Sequence, residues 1–249
     1  MLTLYSFGPG ANSLKPLLTL YEKGIPFTSR FLNPATFEHH SEWFKKLNPN
    51  GQVPVLEHDG KLITESTVIC EYLEDEFPGT PSLRPADSFG RAQMRIWTKW
   101  VDEYFCWCVS TIGWHRMVGG MVRHLSDEEF EKVVARVPLK EQQEKWRRAR
   151  AGFPQEILDE EMRKIAYSVK RLEARLAESS WLAGAQYTLA DVCNFAIANG
   201  MQNGFAELVN EKDTPHLLAW IRRINERPAC KLMFAKQPSE WQNRRPEEK

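Results

Sequence analysis

Within its first 32 residues the chain places a strand-like run, an amphipathic helix and a second strand-like run with little between them. Two strands bridged by one helix must pair in parallel through a right-handed crossover, so this order limits the fold more than any other feature. LTLYSF (residues 2–7) reads as the first strand, and PFTSRFL (residues 26–32) as the second. Between them Leu14, Leu17, Leu18 and Tyr21 follow the i, i+3, i+4, i+7 spacing of a helix face, which Gly24 can end. A less regular segment, TFEHHSEWFKKL, then runs into the turn NPNG.

VPVLEH and KLIT follow, joined by Asp59-Gly60, a strong signal for a tight hairpin. Ile69, Tyr72, Leu73 and Phe77 make one face of a closing helix that Pro78-Gly79 stops. The order β-α-β-α-β-β-α predicts a small mixed sheet with helices packed on it, a thioredoxin-like plan. PGTPSLRPADS, with three prolines and one glycine, reads as a linker. Beyond it every segment is helical in rhythm. Trp97, Trp100, Val101, Tyr104, Phe105 and Cys108 form a wide apolar stripe, and Leu158, Met162, Ile165, Val169, Leu172 and Leu176 alternate steps of four and three. Leu189, Val192, Cys193 and Ala196 mark another helix, with Thr188 and Asp191 spaced as a capping box. Leu217, Trp220, Ile221 and Ile224 mark a late helix that ends before Pro228. The expected division is an α/β thioredoxin-like domain over residues 1–80 and an all-α domain over residues 88–243. The charge-rich stretch 119–155 opens a helix at Ser126 and Glu129, and the tail RRPEEK is expected to fray.

Lys plus Arg equals Asp plus Glu at 33 each, so no global field draws this chain to nucleic acid or anionic lipid. The five cysteines include no C-x-x-C pair and no zinc spacing, which excludes a metal site of that kind and points to buried thiols in a reducing compartment. No run spans a bilayer and no signal peptide opens the chain, so a cytoplasmic location is expected.

Three polar elements in the first domain need explaining. In GPGANSLKP, Pro16 is expected in the first turn of its helix, which would start that helix at Asn12-Ser13. Amide N–H groups there favour an anion such as a thiolate, although either side chain can simply cap. In Gln52-Val53-Pro54-Val55 a cis Val53–Pro54 bond would turn the Val53 amide groups toward an extended peptide; a trans proline at a sheet edge is the plainer alternative. Glu65-Ser66 opens the third helix, where Ser66 can cap or hold a carboxylate and Glu65 can accept from an ammonium. Together they would bind a peptide with an amino-acid end and a thiol.

These residues resemble the cytosolic glutathione transferases over nearly the full chain. The Asn12-Ser13 region, NPNGQVPVL, ITESTVICEYLED, the proline-rich linker and TLADVCNFA carry the resemblance. It implies the glutathione transferase fold, glutathione as co-substrate, and a homodimer. It also implies that Val53 pairs with the cysteinyl backbone, that Glu65 and Ser66 hold the γ-glutamyl end, and that Gln52 with His39 or His40 reaches the glycine carboxylate. Within the family, LYSFGPGANSLKPL, EWFKKLNPNGQVP, RIWTKWVDEYFCWCVSTIGW and KWRRARAGFPQEILDEE resemble the bacterial glutathione-dependent β-etherases of lignin-derived aryl ethers, in the branch acting on S-configured ethers. A general transferase and a binding protein without turnover are the competing readings.

Tyr5 lies inside the first strand, so a serine-type site built on Ser13, with Asn12 as neighbouring donor, replaces a tyrosine-type one. A free thiol has a pKa of about 8.5, and lowering it by one to two pH units takes about 1.4 to 2.7 kcal/mol of preferential anion binding. One hydrogen bond and a helix start supply that. Phe7, Tyr104, Trp107, Trp114 and His115 are the expected wall for an aromatic substrate, while Trp97, Trp100 and Phe105 are assigned to the core and Cys106 and Cys108 to packing.

Overall fold

The computed structural model describes residues 1–235. RRPEEK and residues 236–243 of the expected helical domain lie outside that range. Four strands, β1 (Leu2–Ser6), β2 (Thr28–Phe31), β3 (Val55–His58) and β4 (Lys61–Ile63), form one sheet in the order β2-β1-β3-β4. β1 pairs in parallel with β2, and helix α1 (Ala11–Lys23) makes the crossover between them. β3 pairs antiparallel with both β1 and β4. Asp59 (φ 49°) and Gly60 (φ 79°) supply the two left-handed residues that a tight hairpin needs. Gly24, at φ 64°, ends α1 by giving its N–H to the Leu20 and Tyr21 carbonyls.

Two 3₁₀ turns (Pro34–Thr36 and Glu38–His40) and the short α2 (Glu42–Lys45) lead to the NPNG turn; α3 (Ser66–Glu76) follows the hairpin and packs on α1. Tyr5, Leu32, Phe44 and Val55 fill a small cluster of their own, while Leu4, Leu14, Leu17, Leu18, Leu56 and Ile69 join the main core.

The helical half begins with one continuous path. α4 (Ser88–Trp100) passes through a π turn (Val101–Phe105) into α5 (Cys106–Gly113), and a second π turn (Trp114–Val118) leads into α6 (Gly119–Val122). α7 (Asp127–Val134), α8 (Lys140–Ala151), α9 (Gln155–Glu178), α10 (Leu189–Ala198), α11 (Met201–Gly204), α12 (Pro215–Asn225) and α13 (Pro228–Ala235) complete it. Both predicted capping boxes form, at Ser126/Glu129 for α7 and at Thr188/Asp191 for α10. Every residue of α10 is buried, because this helix lies against both α1 and α4. α1 is therefore held by α3, α10 and α13, which supports the site at its start.

The π turns alter the expected stripe. Trp97, Val101, Phe105, Cys108 and Ile112 are among the buried residues of this path, whereas Trp100 and Tyr104 are only partly covered. The charge-rich stretch is a cap over one end of the molecule. Val122, Phe130, Val134, Val137 and Trp146 gather around Phe37 in a cluster separate from the main core. Its outward charges pair across the surface, as in Arg147–Glu131 between α8 and α7, and such exposed pairs contribute little to stability.

Candidate functional site

A cleft of about 520 Å³ lies between the sheet domain and the helical domain. Its floor is the start of α1. The helix begins at Ala11, with Gly10 at the N-cap position and no side-chain cap. Neither Asn12 nor Ser13 is the cap, and Pro16 is the sixth helical residue rather than a member of the first turn. Pro16 forgoes the bond its missing N–H would have given to the Asn12 carbonyl and crowds its ring against that carbonyl, a cost the helix takes just beyond the first turn. Ser13 is buried, and its Oγ accepts the Phe7 N–H at 3.3 Å. The hydroxyl proton therefore remains to be donated elsewhere. Asn12 is half-buried at the edge of the cleft, and its Oδ1 accepts from the Cys106 thiol at 3.5 Å.

The other two elements meet α1 here. The Val53–Pro54 bond is cis, and Gln52, Val53 and Pro54 all line the cleft. Asn48 secures them by donating from Nδ2 to the Gln52 carbonyl at 2.8 Å. Glu65 occupies the N-cap position of α3 at φ 65°, and Ser66 is the buried first residue of that helix. Ala11, at φ 44°, is the second cleft residue held in the left-handed region without being glycine. Each such residue costs on the order of 1–3 kcal/mol and persists where surrounding structure holds it, commonly at ligand sites.

His39 and His40 also line the cleft, and both are buried rather than solvated. Their ring centroids lie 3.9 Å apart, and Phe7 meets His39 edge-on at 4.9 Å. Burial, then the His40 ring and the Arg136 guanidinium, push His39 down to about 3. Burial, Arg136 and Lys45 push His40 down to about 4. Both are neutral at physiological pH. The Nδ1 atoms of both are buried and have no hydrogen-bond partner among the described residues, so a ligand reaching this end of the cleft meets two unsatisfied ring nitrogens. Gly51, at φ 61°, is required beneath them, since a Cβ there would come within 2.6 Å of His40 Nδ1.

These rings carry a stability prediction. A histidine whose folded pKa lies below its unfolded value of about 6.5 contributes stability that is complete above pH 6.5 and is lost as pH falls. For His39 and His40 the window runs from about 6.5 toward 3 to 4, with a slope of up to about 1.4 kcal/mol per pH unit for each proton. Asp191, buried and raised to about 6, works in the opposite direction between about 4 and 6, but it offsets only one proton of the two. Denaturant unfolding at pH 7, 6 and 5 is expected to show falling stability, with a shallower fall in His39→Gln/His40→Gln. Equal slopes in the two proteins would remove the histidines from the account.

The far wall comes from the helical domain. Trp107 and Trp114 line the cleft with Phe7 opposite, and Trp107 remains 56% exposed, as a wall residue rather than a core one. Tyr104 and His115 do not line it. Tyr104 packs between Trp100 and Tyr167, and His115 meets Phe153. Each lies within one of the two π turns, whose extra residue per turn rotates the helix face by roughly 100° relative to a regular helix. Cys106 packs against the main core as expected and also lines the cleft, and burial raises its thiol pKa, so it stays neutral. Cys108 is buried as expected, with its thiol on the Phe105 carbonyl and pushed up to about 11 by burial. Tyr5 takes no part, since its hydroxyl donates to Glu57 at 2.9 Å.

The amino-acid order alone did not point to Asp102, Ser110 or Lys145, which also line the cleft. Asp102 accepts from the fully buried Lys15 ammonium at 2.5 Å and from the Thr67 hydroxyl at 2.5 Å, tying α1 and α3 to the first π turn. Aspartate at position 102 belongs to no spacing pattern, so only the packing of the three helices exposes its role.

The chain matches the glutathione S-transferase N-terminal domain family over residues 1–75 and the glutathione S-transferase C-terminal domain family over residues 110–228. The chain belongs to the glutathione S-transferase family. Among curated relatives it is 62% identical to Protein LigF of Sphingobium sp., with the match covering 100% of this chain and 98% of LigF. It superposes on the crystal structure of beta-etherase LigF from Sphingobium sp. strain SYK-6 with a TM-score of 0.93 at 63% identity, covering 95% of this chain and 99% of that one. Glutathione transferase F7 from Populus trichocarpa follows at a TM-score of 0.73 and 26% identity, covering 94% and 98%. Membership makes glutathione the co-substrate, and the thioredoxin-like domain with its helical partner is the transferase fold. Among the described residues no helix is long and apolar enough to cross a membrane.

Proposed function

We propose that this transferase is a glutathione-dependent β-etherase. The thiolate of glutathione displaces a phenol from the β-carbon of an α-keto β-aryl ether of the lignin-derived class. The observation that carries this reading is the 62% identity to LigF over the whole chain, together with the close superposition on a protein described as a beta-etherase. The general transferase reading is less supported, because relatives of that description share 28% identity or less over comparable lengths.

The site fits such a reaction. Ser13 donates its remaining proton to the sulfur, Asn12 offers its amide beside it, and the start of α1 adds its dipole. Val53 pairs with the cysteinyl backbone, Glu65 and Ser66 hold the γ-glutamyl end, and Gln52 with His39 or His40 holds the glycine carboxylate. Phe7, Trp107 and Trp114 provide aromatic walls for the ether. The adjacent ketone activates the β-carbon, so the protein's main work is to align sulfur, carbon and departing oxygen. Attack from the side opposite the phenol inverts that carbon, and the S-configured ether is the expected substrate. A homodimer accompanies this reading, supported by the exposed Leu62, Val68, Phe89 and Ile96 on β4, α3 and α4. A cytoplasmic location is supported by all five cysteines being free thiols.

Incubation with glutathione and each enantiomer of a β-aryl ether ketone tests the reading, with phenol and thioether both quantified. Phenol from the S-configured ether is expected. Conjugation of a generic electrophile with no phenol from either enantiomer would favour the general transferase. Ser13→Ala is expected to lower kcat by about tenfold or less, the worth of one hydrogen bond, because Asn12 and the helix amides remain. A loss of many orders with glutathione binding intact would place all thiol activation on Ser13.

A further inference from the structure

Lys145 on α8 lines the cleft, and the reading above leaves its chemistry unused. Its ammonium sits 4.8 Å from the Trp114 ring centroid and 5.5 Å from that of Trp107, against the faces of two indoles. It donates to Ser110 Oγ at 3.0 Å. Among the described residues no carboxylate forms an ion pair with it. An ammonium has three donors, so those not given to Ser110 are left for a ligand in the cleft. The titratable groups that face it are Cys106 on α5 and Glu161 on α9.

Its place along the cleft follows from α5. Cys106 meets Asn12, at the sulfur end, and Ser110 lies one helical turn further along the same face. One turn advances about 6 Å. Lys145 thus stands beyond the sulfur position by roughly the span of a sulfur, a carbon and a departing oxygen in line, closed by a hydrogen bond. The glycine-carboxylate end, at Gln52 and the two histidines, is built from the other domain.

Resting on the β-etherase reading, we propose that the Lys145 ammonium is the general acid that protonates the phenolic oxygen as it leaves. The Trp107 and Trp114 faces hold the cation, and Ser110 aims it. As the C–S bond forms, the C–O bond breaks and its electron pair goes to the aryl oxygen, which takes a proton from Nζ. The neutral amine is reprotonated from water, balancing the proton released when the glutathione thiol ionised. The sum is thiol plus ether giving thioether plus phenol, with no oxidation or reduction. Burial pushes Lys145 down to about 8, below a phenol of pKa about 10, so proton transfer to the departing oxygen runs downhill.

The test compares two ether ketones that differ only in the departing phenol, a methoxyphenol and the more acidic nitrophenol. A poor leaving group needs the proton; a good one does not. Lys145→Gln is expected to lose about 100-fold in kcat/KM with the methoxyphenyl ether and less than about fivefold with the nitrophenyl ether, with the KM for glutathione unchanged. Lys145→Arg keeps the cation but holds its proton too tightly, and is expected to recover only part of the methoxyphenyl loss. Equal losses on both ethers would overturn the acid role and leave a structural or carbonyl-polarising one. A raised KM for glutathione at unchanged kcat would also overturn it, in favour of a carboxylate contact. No phenol from the wild-type protein with either ether would overturn the etherase reading itself, and this step with it.

Discussion

Replacing Asp191 with alanine is expected to lower stability by roughly 3 to 5 kcal/mol, which for a chain of this length lowers the thermal midpoint by on the order of 10 °C. Asp191 is fully buried, and its carboxylate serves four donors. Oδ1 accepts from the Leu182 N–H and from the Trp220 indole at 2.9 Å each. Oδ2 accepts from the Thr188 N–H at 3.0 Å and from its hydroxyl at 3.4 Å. Alanine leaves these groups buried and without that acceptor. Asparagine is the sharper probe. It can serve one pair of donors with its carbonyl, but its NH₂ then confronts the Thr188 N–H. Against this, burial has raised the Asp191 pKa to about 6, so removing the charge relieves part of the desolvation cost. Asp191→Asn should therefore fall between wild type and alanine. Wild-type stability in Asp191→Asn would show that acceptor geometry matters less than the buried charge. Because α10 supports α1, glutathione affinity should decline with stability in both variants.

Gly119→Ala is expected to reduce ether turnover by about tenfold or more while leaving glutathione affinity within about threefold. A Cβ on Gly119 would come within 2.0 Å of the Ala149 carbonyl oxygen, where α6 crosses α8. Both partners are backbone, so a helix must move, and overpacking of this kind typically costs 1–3 kcal/mol. α8 carries Lys145 and Trp146, and Trp146 packs on Phe37 and Trp114 with ring centroids 4.7 Å away in each case. Displacing α8 therefore disturbs the far wall of the cleft, and a shift of about 1 Å in a positioning element can cost 10²-fold in rate. Among the glutathione-facing residues, His39 and His40 are linked to α8 by ring contacts through Phe37, which sets the threefold allowance on affinity. Steady-state kinetics and calorimetric titration separate the two effects. Unchanged kcat/KM would mean that α8 does not position the ether.

Much of the frame was legible in the order of residues. Asp59-Gly60 fixed the hairpin, the strand–helix–strand opening dictated the parallel pair, and Thr188 with Asp191 marked the start of α10. Each is a local signal, acting within a few residues. The site was legible in part: Asn12, Ser13, Val53, Glu65 and both histidines do converge on one cleft. What escaped was set by packing across the chain. The start of α1 is capped by Gly10, and Pro16 sits deeper than its usual place because the residues around it, Lys15 and Leu17 included, are buried by other elements. The two π turns carried Tyr104 and His115 away from the wall, and no residue pattern announces a π turn. Lys145 lay in a charged run, KEQQEKWRRARA, whose folding back over the cleft depends on a distant contact between Trp146 and Phe37.

The central claim is that glutathione sulfur displaces the phenol directly at the β-carbon. Chiral analysis of the glutathione thioether formed from the S-configured ether ketone tests it most directly. One equivalent of phenol per thioether, with the β-carbon inverted, is the predicted result; phenol without thioether, or a racemic or retained product, would contradict it.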